Sequence, residues 1–318
     1  NIHMITQRKT IYTFICTLLL GFTSNIYAQH ISPLEGRWDL EIDFMGKTSP
    51  SWLEIKHSGT ATLLGRFVFA FGSARPIAEI ETYGDNKFTF SIPNQWEPKG
   101  SDMIFHGELQ GETLKGTLIY TDGSVIDWTG VKAPELEYTE NPKWGKTIDV
   151  FNGKDLSGWH VDGEKNQWVV KDGILTSPES GSNLITDEKF QDFKLHVEFR
   201  YPKGSNSGIY LRGRYEVQIV DSEGLEPSDI YLGGVYGFLE PNENASKPAG
   251  EWQTYDITLI GRRVTITLNG KTVISDATIP GITGGALDSK EGEPGPFMIQ
   301  GDHGPIEYRS FEVTPLKN

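Results

Sequence analysis

Alternation with a period of two, interrupted by short glycine-bearing turns, runs through most of this chain and restricts it to folds built from strands. In FQDFKLHVEFRYP, Phe193, Leu195, Val197 and Phe199 fall on one face and polar or basic residues on the other. That is the signature of a half-buried strand, because successive side chains leave a strand on opposite faces. WQTYDITLIGRRVTITLNGKTVI gives two or three more strands, turning at Gly261-Arg262-Arg263 and at Asn269-Gly270, and GPFMIQGDHGPIEYRSFEVTPL closes the series with another pair. The first third reads the same way through GRWDLEIDF, SWLEIKHSG, ATLLGRFVFAFG and the hairpins beyond them, punctuated at Gly84-Asp85-Asn86, Gln110-Gly111-Glu112 and Asp122-Gly123. Long runs of helical period are absent, and 36 Gly and 17 Pro supply the turns, so the fold class is all-β.

A chain of 318 residues is long for one domain. Residues 1–28 have the layout of a secretory signal: Arg8-Lys9, an apolar run from Ile11 to Phe22, then small and polar residues, with cleavage expected after Ala28. Asn1–His3 precede the first Met. Residues 29–132 form a small N-terminal β-barrel or sandwich; their GRW opening is similar to the start of lipocalin-type barrels, a match too short to imply a ligand. Residues 133–146, APELEYTENPKWGK, are polar and carry prolines, and are read as a linker. Residues 147–318 make the second β domain, in which strands stacked face to face give a jelly-roll sandwich with a concave sheet.

Composition narrows the function classes. Loss of Arg8 and Lys9 would take the formal charge from −14 to −16, and no basic tract exists, which argues against nucleic acid and anionic lipid as partners. After signal cleavage no membrane insertion is expected. Cys16, the only cysteine, lies inside the apolar run. The exported chain would then hold together by core burial without disulfides, and thiolate chemistry and cysteine metal sites are excluded.

The stretch NSGIYLRGRYEVQIVDSEG crowds polar groups into two short strands. Glu216 and Gln218 share one face of the second strand, while Tyr215, Val217 and Ile219 share the other. Tyr210 and Arg212 are assigned a common face on the first. Charged side chains are costly inside a core, so these faces should look onto a groove or onto solvent. A retaining glucanase would place an acid pair four residues apart on this face. Here the far position is Val220, the middle one is the amide Gln218, and Asp221 is at an odd offset, which disfavours double displacement.

DVFNGKDLSGW, WVVKDGILTS, NSGIYLRGRYEVQIVDS, PAGEWQTYDITLIGRRVTITLNGK and IQGDHGPIEYRSFEV occur in order over Thr147–Leu316 and together resemble the 3-keto-disaccharide hydrolase family. The resemblance implies a concanavalin-like sandwich and cleavage of 3-keto-glycosides. A C3 ketone acidifies the C2 hydrogen, so a base can remove it, the C1 substituent can leave, and water can add to the enone. Such chemistry needs a general base, donors for the developing enolate oxygen and an acid for the departing oxygen.

On this basis His303, between glycines in QGDHG, and Glu216 are the catalytic candidates, and Asn206, Tyr210, Arg212, Gln218, Glu251 and Gln300 the substrate-binding ones. The plain alternatives are a loop histidine, a solvated edge and a turn-forming Asn206. Arg309 reads equally as a hydroxyl ligand or an ion-pair partner. Cofactors are left open: Glu216, Asp221, Asp302 and His303 could ligate a divalent metal ion, yet the seven histidines show no ligand spacing. No dinucleotide-binding glycine motif is present, so a separate oxidoreductase would have to make the keto sugar. GGVYGFLEP lacks the helix and the Lys-Ser/Thr pair of a phosphate loop, and NASK at Asn244 matches a glycosylation acceptor. The competing functions are a non-catalytic lectin-like module and a direct glycoside hydrolase. The exported protein is expected in the periplasm or medium.

Overall fold

A computed structural model describes residues 32–317. The expected signal segment and its cleavage point lie outside the described residues. Ser32 onward forms one compact unit, all of it strands and turns.

Eight strands, β1 (Gly36–Phe44), β2 (Lys47–Ser58), β3 (Thr62–Val68), β4 (Arg75–Tyr83), β5 (Lys87–Ile92), β6 (Met103–Gln110), β7 (Thr113–Ile119) and β8 (Val125–Lys132), pair consecutively and close as β1 meets β8. Closure removes the sheet edges that would otherwise invite pairing with another chain. The alternation seen in the sequence points Trp38, Leu40, Phe67, Phe69, Phe88, Phe90, Phe105 and Trp128 inward. Their rings interlock, with Phe67 to Phe105 at 4.6 Å and Phe90 to Phe105 at 4.8 Å between centroids. The barrel interior is thus a packed core.

The sandwich follows a connecting stretch, 133–147, that is tied back at its end by Gly145 N donating to Pro315 O at 2.8 Å. Its strands are β9 (Ile148–Asp149), β10 (Trp159–Asp162), β11 (Val169–Lys171), β12 (Ile174–Ser177), β13 (Asn183–Thr186), β14 (Phe193–Arg200), β15 (Asn206–Leu211), β16 (Tyr215–Val220), β17 (Gln253–Ile260), β18 (Arg263–Leu268), β19 (Lys271–Thr278), β20 (Met298–Ile299) and β21 (Ile306–Pro315). One sheet runs β10-β13-β20-β15-β16; the other runs β11-β12-β21-β14-β17-β18-β19, with β9 added on β21. Phe193, Leu195, Val197 and Phe199 of β14 meet Ile209, Leu211, Tyr215, Val217 and Ile219 of the facing sheet in one core. Non-sequential strand order gives the jelly-roll character that hairpin-by-hairpin reading of a sequence cannot supply.

Part of the barrel exterior is also buried. Outward-pointing Trp52 and Val68 join the sandwich core, and the Trp52 ring packs edge-on to Phe238 at 5.4 Å. Arg37 donates to Pro280 O at 3.0 Å, Ser289 to Leu40 O at 2.9 Å, and Gly285 N to Ala70 O at 2.9 Å. At Gly284 a Cβ would stand 2.3 Å from the carbonyl oxygen of Gly72, so the two backbones meet where no side chain fits. Besides the segment around Phe238, the sandwich side of this contact is the 280–289 loop, whose Gly284 and Gly285 also border the site described next.

Candidate active site

Strands β15 and β16 build the floor of a cavity of about 530 Å³. Their register pairs Tyr210 with Glu216, Gly208 with Gln218 and Asn206 with Val220, so period-two alternation sends one set of side chains into the core and delivers Asn206, Tyr210, Glu216 and Gln218 to the cavity. β16 is an edge strand, and its exposed backbone is covered. Glu216 N donates to the Thr283 hydroxyl at 3.0 Å and Tyr236 N donates to Glu216 O at 3.0 Å, which sets Tyr236 against the cavity wall. Gly208 makes room: a Cβ there would lie 2.5 Å from Glu216 Oε1.

Glu216 is buried. Loss of water pushes its carboxyl up to about 8, against the opposing pulls of the Tyr210 hydroxyl and His303, and Asp302 adds to the rise. The hydrogen bonds agree with a neutral acid. Tyr210 Oη stands 2.9 Å from Glu216 Oε2 and 2.9 Å from Gly284 O. A phenol has one proton and a backbone carbonyl can only accept, so both contacts are satisfied together when Tyr210 donates to Gly284 and Glu216 donates to Tyr210.

His303 enters from the loop after β20. Its Nδ1 lies 2.6 Å from Asp302 Oδ1, which fixes the ring and leaves Nε2 free. That hydrogen bond raises the imidazole above its ordinary value, burial opposes it, and the charge of Asp302, with that of Glu216 once it ionises, adds to the rise. Two amides that line the same cavity have unused acceptors: Asn206 Oδ1 and Gln300 Oε1 are buried without a hydrogen-bond partner among the described residues. An unpaired buried amide oxygen costs about 1–3 kcal/mol, a cost that a hydroxyl-bearing ligand would relieve. Gln218 has its oxygen on Ile219 N at 2.9 Å, so its NH₂ is the group left for a ligand.

The cavity therefore gathers His303, Glu216, Asn206, Tyr210, Gln218 and Gln300. Two expected residues lie elsewhere. Arg212 sits in the turn after β15 with φ 54; the alternation that aligned it with Tyr210 ends at Leu211. Its buried guanidinium binds Gly261 O and lies over the Tyr215 ring. Glu251 is an exposed turn residue preceding β17, a strand of the opposite sheet. Arg309 pairs with Glu198 and stacks on Trp252, away from the cavity. Of the four residues considered as metal ligands, Glu216, Asp302 and His303 line the cavity and Asp221 does not, accepting from Gly204 N at 2.8 Å; no cluster of three His, Cys, Asp or Glu suited to a metal occurs among the described residues. Asn244 uses its side-chain nitrogen on the Ser222 and Leu225 carbonyls, which occupies the atom a glycan would need.

Residues 146–314 match the profile of the family described as the 3-keto-alpha-glucoside-1,2-lyase-like domain. The chain belongs to this family. A 3-keto-disaccharide hydrolase of Bacteroides thetaiotaomicron is 31% identical over 130 residues, covering 36% of this chain and 44% of the relative, so the chain spans less than half of that protein. Two crystal structures of candidate glycosyl hydrolases from Parabacteroides distasonis also align. One is 30% identical over 56% of this chain and 93% of its own, with a TM-score of 0.45; the other is 19% identical over 54% and 94%, with a TM-score of 0.46.

Within the 3-keto-alpha-glucoside-1,2-lyase-like segment lie all the sandwich residues of the cavity, including Asn183, Tyr236 and Asp302, which were not picked out as substrate or acid-base groups from the sequence. Asp302 was legible as the neighbour of His303, but only as a metal ligand. Phe71, Gly72 and Trp96 also line the cavity and lie outside the family segment, on barrel loops whose proximity no local pattern announces.

Proposed function

We propose that this protein cleaves 3-keto-glycosides by elimination followed by hydration. One observation carries the reading: a histidine hydrogen-bonded to a carboxylate, and a buried carboxyl whose proton burial favours, face a single cavity lined by amides with unpaired oxygens. The carboxyl of Glu216 is raised and the imidazole is held by Asp302, an arrangement suited to one acid and one base acting near neutral pH.

In the proposed reaction, His303 Nε2 takes the proton from C2 as the C1–O bond breaks, and Glu216 gives its proton to the departing oxygen. The enone and an alcohol result. Negative charge on the C3 oxygen in the transition state is met by the amide NH₂ groups of Gln218, Asn206 and Gln300. Water then attacks C1, Glu216 takes a proton from it, and His303 returns its proton to C2. Both side chains recover their starting states, and the sum is hydrolysis. Asn206 and Gln300 oxygens accept sugar hydroxyls throughout. Residues 1–28 support export to the periplasm or medium, and the substrate would come from a separate oxidoreductase that oxidises C3.

The cavity holds two carboxyls, Glu216 and Asp302, so a direct glycosidase is the reading to separate. Incubating the protein with a 3-keto-glucoside in deuterated water makes that separation. Deuterium at C2 of the released keto sugar supports elimination. Efficient release without deuterium, or equal cleavage of a glycoside lacking the C3 oxygen, removes the proposal. Saturable sugar binding with no product from either substrate would leave a lectin.

A further inference from the structure

The cavity has two unlike walls. On the sandwich side it is lined by amides, His303 and carboxyls, groups that read hydroxyls. On the barrel side it is lined by Phe71, Gly72 and Trp96, whose one side-chain hydrogen-bonding group, the Trp96 indole N–H, is engaged with Tyr236. The polar neighbours on that side are spent on each other: Gln95 donates to the Ser73 hydroxyl at 2.6 Å and accepts from Ser73 N at 3.2 Å.

Trp96 is 65% exposed, an unusual state for the largest apolar side chain, and yet its loop is built to hold it there. The buried Glu97 carboxylate bonds Arg75 at 2.9 Å and also accepts from Gln95 N at 2.7 Å and Trp96 N at 3.2 Å. Gly72 admits the ring from the other side, since a Cβ there would lie 2.7 Å from Trp96 Cδ1. A rigid, presented indole loses little freedom on binding a ligand.

Beyond Phe71 the apolar surface continues. Phe71 also borders a second cavity of about 440 Å³ at the barrel mouth, lined by Phe44, Met45, Pro98, Tyr120 and Ile126 with a few polar groups at its rim. A second sugar entering this side can stack a C–H face on a ring but finds few partners for its equatorial hydroxyls, whereas a flat aromatic group is covered by the rings and needs none.

We infer that the barrel supplies the leaving-group subsite, with Trp96 and Phe71 selecting glycosides whose leaving group is aromatic. The inference rests on the sandwich cavity holding the sugar, as proposed above, but not on the chemistry performed there. Trp96 and Phe71 are specificity residues and exchange no proton with the substrate.

Binding of unoxidised glycosides to the full chain tests this without turnover. Isothermal titration calorimetry with methyl glucoside, phenyl glucoside and a glucose disaccharide, in both anomeric series, should show phenyl glucoside binding at least about fivefold tighter than methyl glucoside. Trp96→Ala should erase most of that gain, Trp96→Phe should restore part of it, and Phe71→Ala should act in the same direction. Equal affinities for phenyl and methyl glucosides, a preference that survives both substitutions, or a larger gain for the disaccharide than for phenyl glucoside would overturn the assignment. Aromatic preference through Trp96 without cleavage of a 3-keto substrate would sink the elimination mechanism and leave this subsite standing. Cleavage with no aromatic preference would do the reverse.

Discussion

Glu216 and Asp39 are both buried carboxyls, and burial pushes each up to about 8. Their surroundings differ. Glu216 opens onto the cavity beside His303 and shares a hydroxyl with Tyr210. Asp39 lies on the outer face of β1, where Glu291 faces it and Arg37 and Arg262 partly offset the pair. Glu291 in turn accepts from the Tyr215 hydroxyl at 2.6 Å, so the proton near Asp39 is sealed among protein groups. A perturbed carboxyl therefore marks a reactive site only when a ligand can reach it; otherwise it is a joint between packed elements, at a cost in stability.

The comparison breaks first at the acid-base groups. Glu216→Gln and His303→Ala should each lower kcat on a 3-keto-glycoside by about 10²–10⁴-fold with the fold intact by circular dichroism, while Asp39→Asn should leave kcat within twofold, roughly the noise of such assays. A large loss in the Asp39 variant would erase the distinction. Gly208→Ala should come next: its Cβ must displace the Glu216 carboxyl, and a displacement near 1 Å can cost about 100-fold in kcat. A fully active Gly208→Ala would mean the acid need not stand where it does.

The pH profile sharpens the same contrast. His303 must be neutral to act as base and its raised value makes activity climb with pH above the ordinary imidazole range; Glu216 must hold its proton, so activity should fall again through about 8. Beyond each limb kcat/KM should change about tenfold per pH unit. A profile flat from pH 6 to 10 would contradict the assigned roles. The smallest effect concerns stability. Asp39 binds a proton in the folded state that the unfolded chain releases near 3.8, so this group's contribution falls as pH rises from about 4 through 8, by up to about 1.4 kcal/mol per unit. Asp39→Asn should flatten that slope and melt higher than the parent at pH 9, with little difference at pH 4.

Much of the fold was open to reading because it is local. Strand turns at Gly111, Gly123 and Asn269-Gly270 follow from residues that tolerate positive φ, and the inward faces of β14 and β16 follow from alternation alone. The same parity sent Glu216 and Gln218 together into the cavity. It failed at Arg212 because the turn had already begun, and at Glu251 because nothing in PAGEWQ says which sheet its strand will join.

By itself, then, the order of residues determined strand faces, hairpin turns and the chemistry available on β15, β16 and the His303 loop, all of which depend on neighbours within a few positions. Tertiary structure alone decided the sheet order, the meeting of Asp302–His303 with Glu216, and the arrival of Phe71 and Trp96 from the barrel. Those contacts join segments more than 200 positions apart, as Phe71 and His303 are, and they form because burying Trp52 and Val68 against the sandwich brings the two cores together, each such side chain contributing roughly 1.5–3 kcal/mol. Burial energy has no sequence spacing, which is why no periodicity in the chain foretold the aromatic wall.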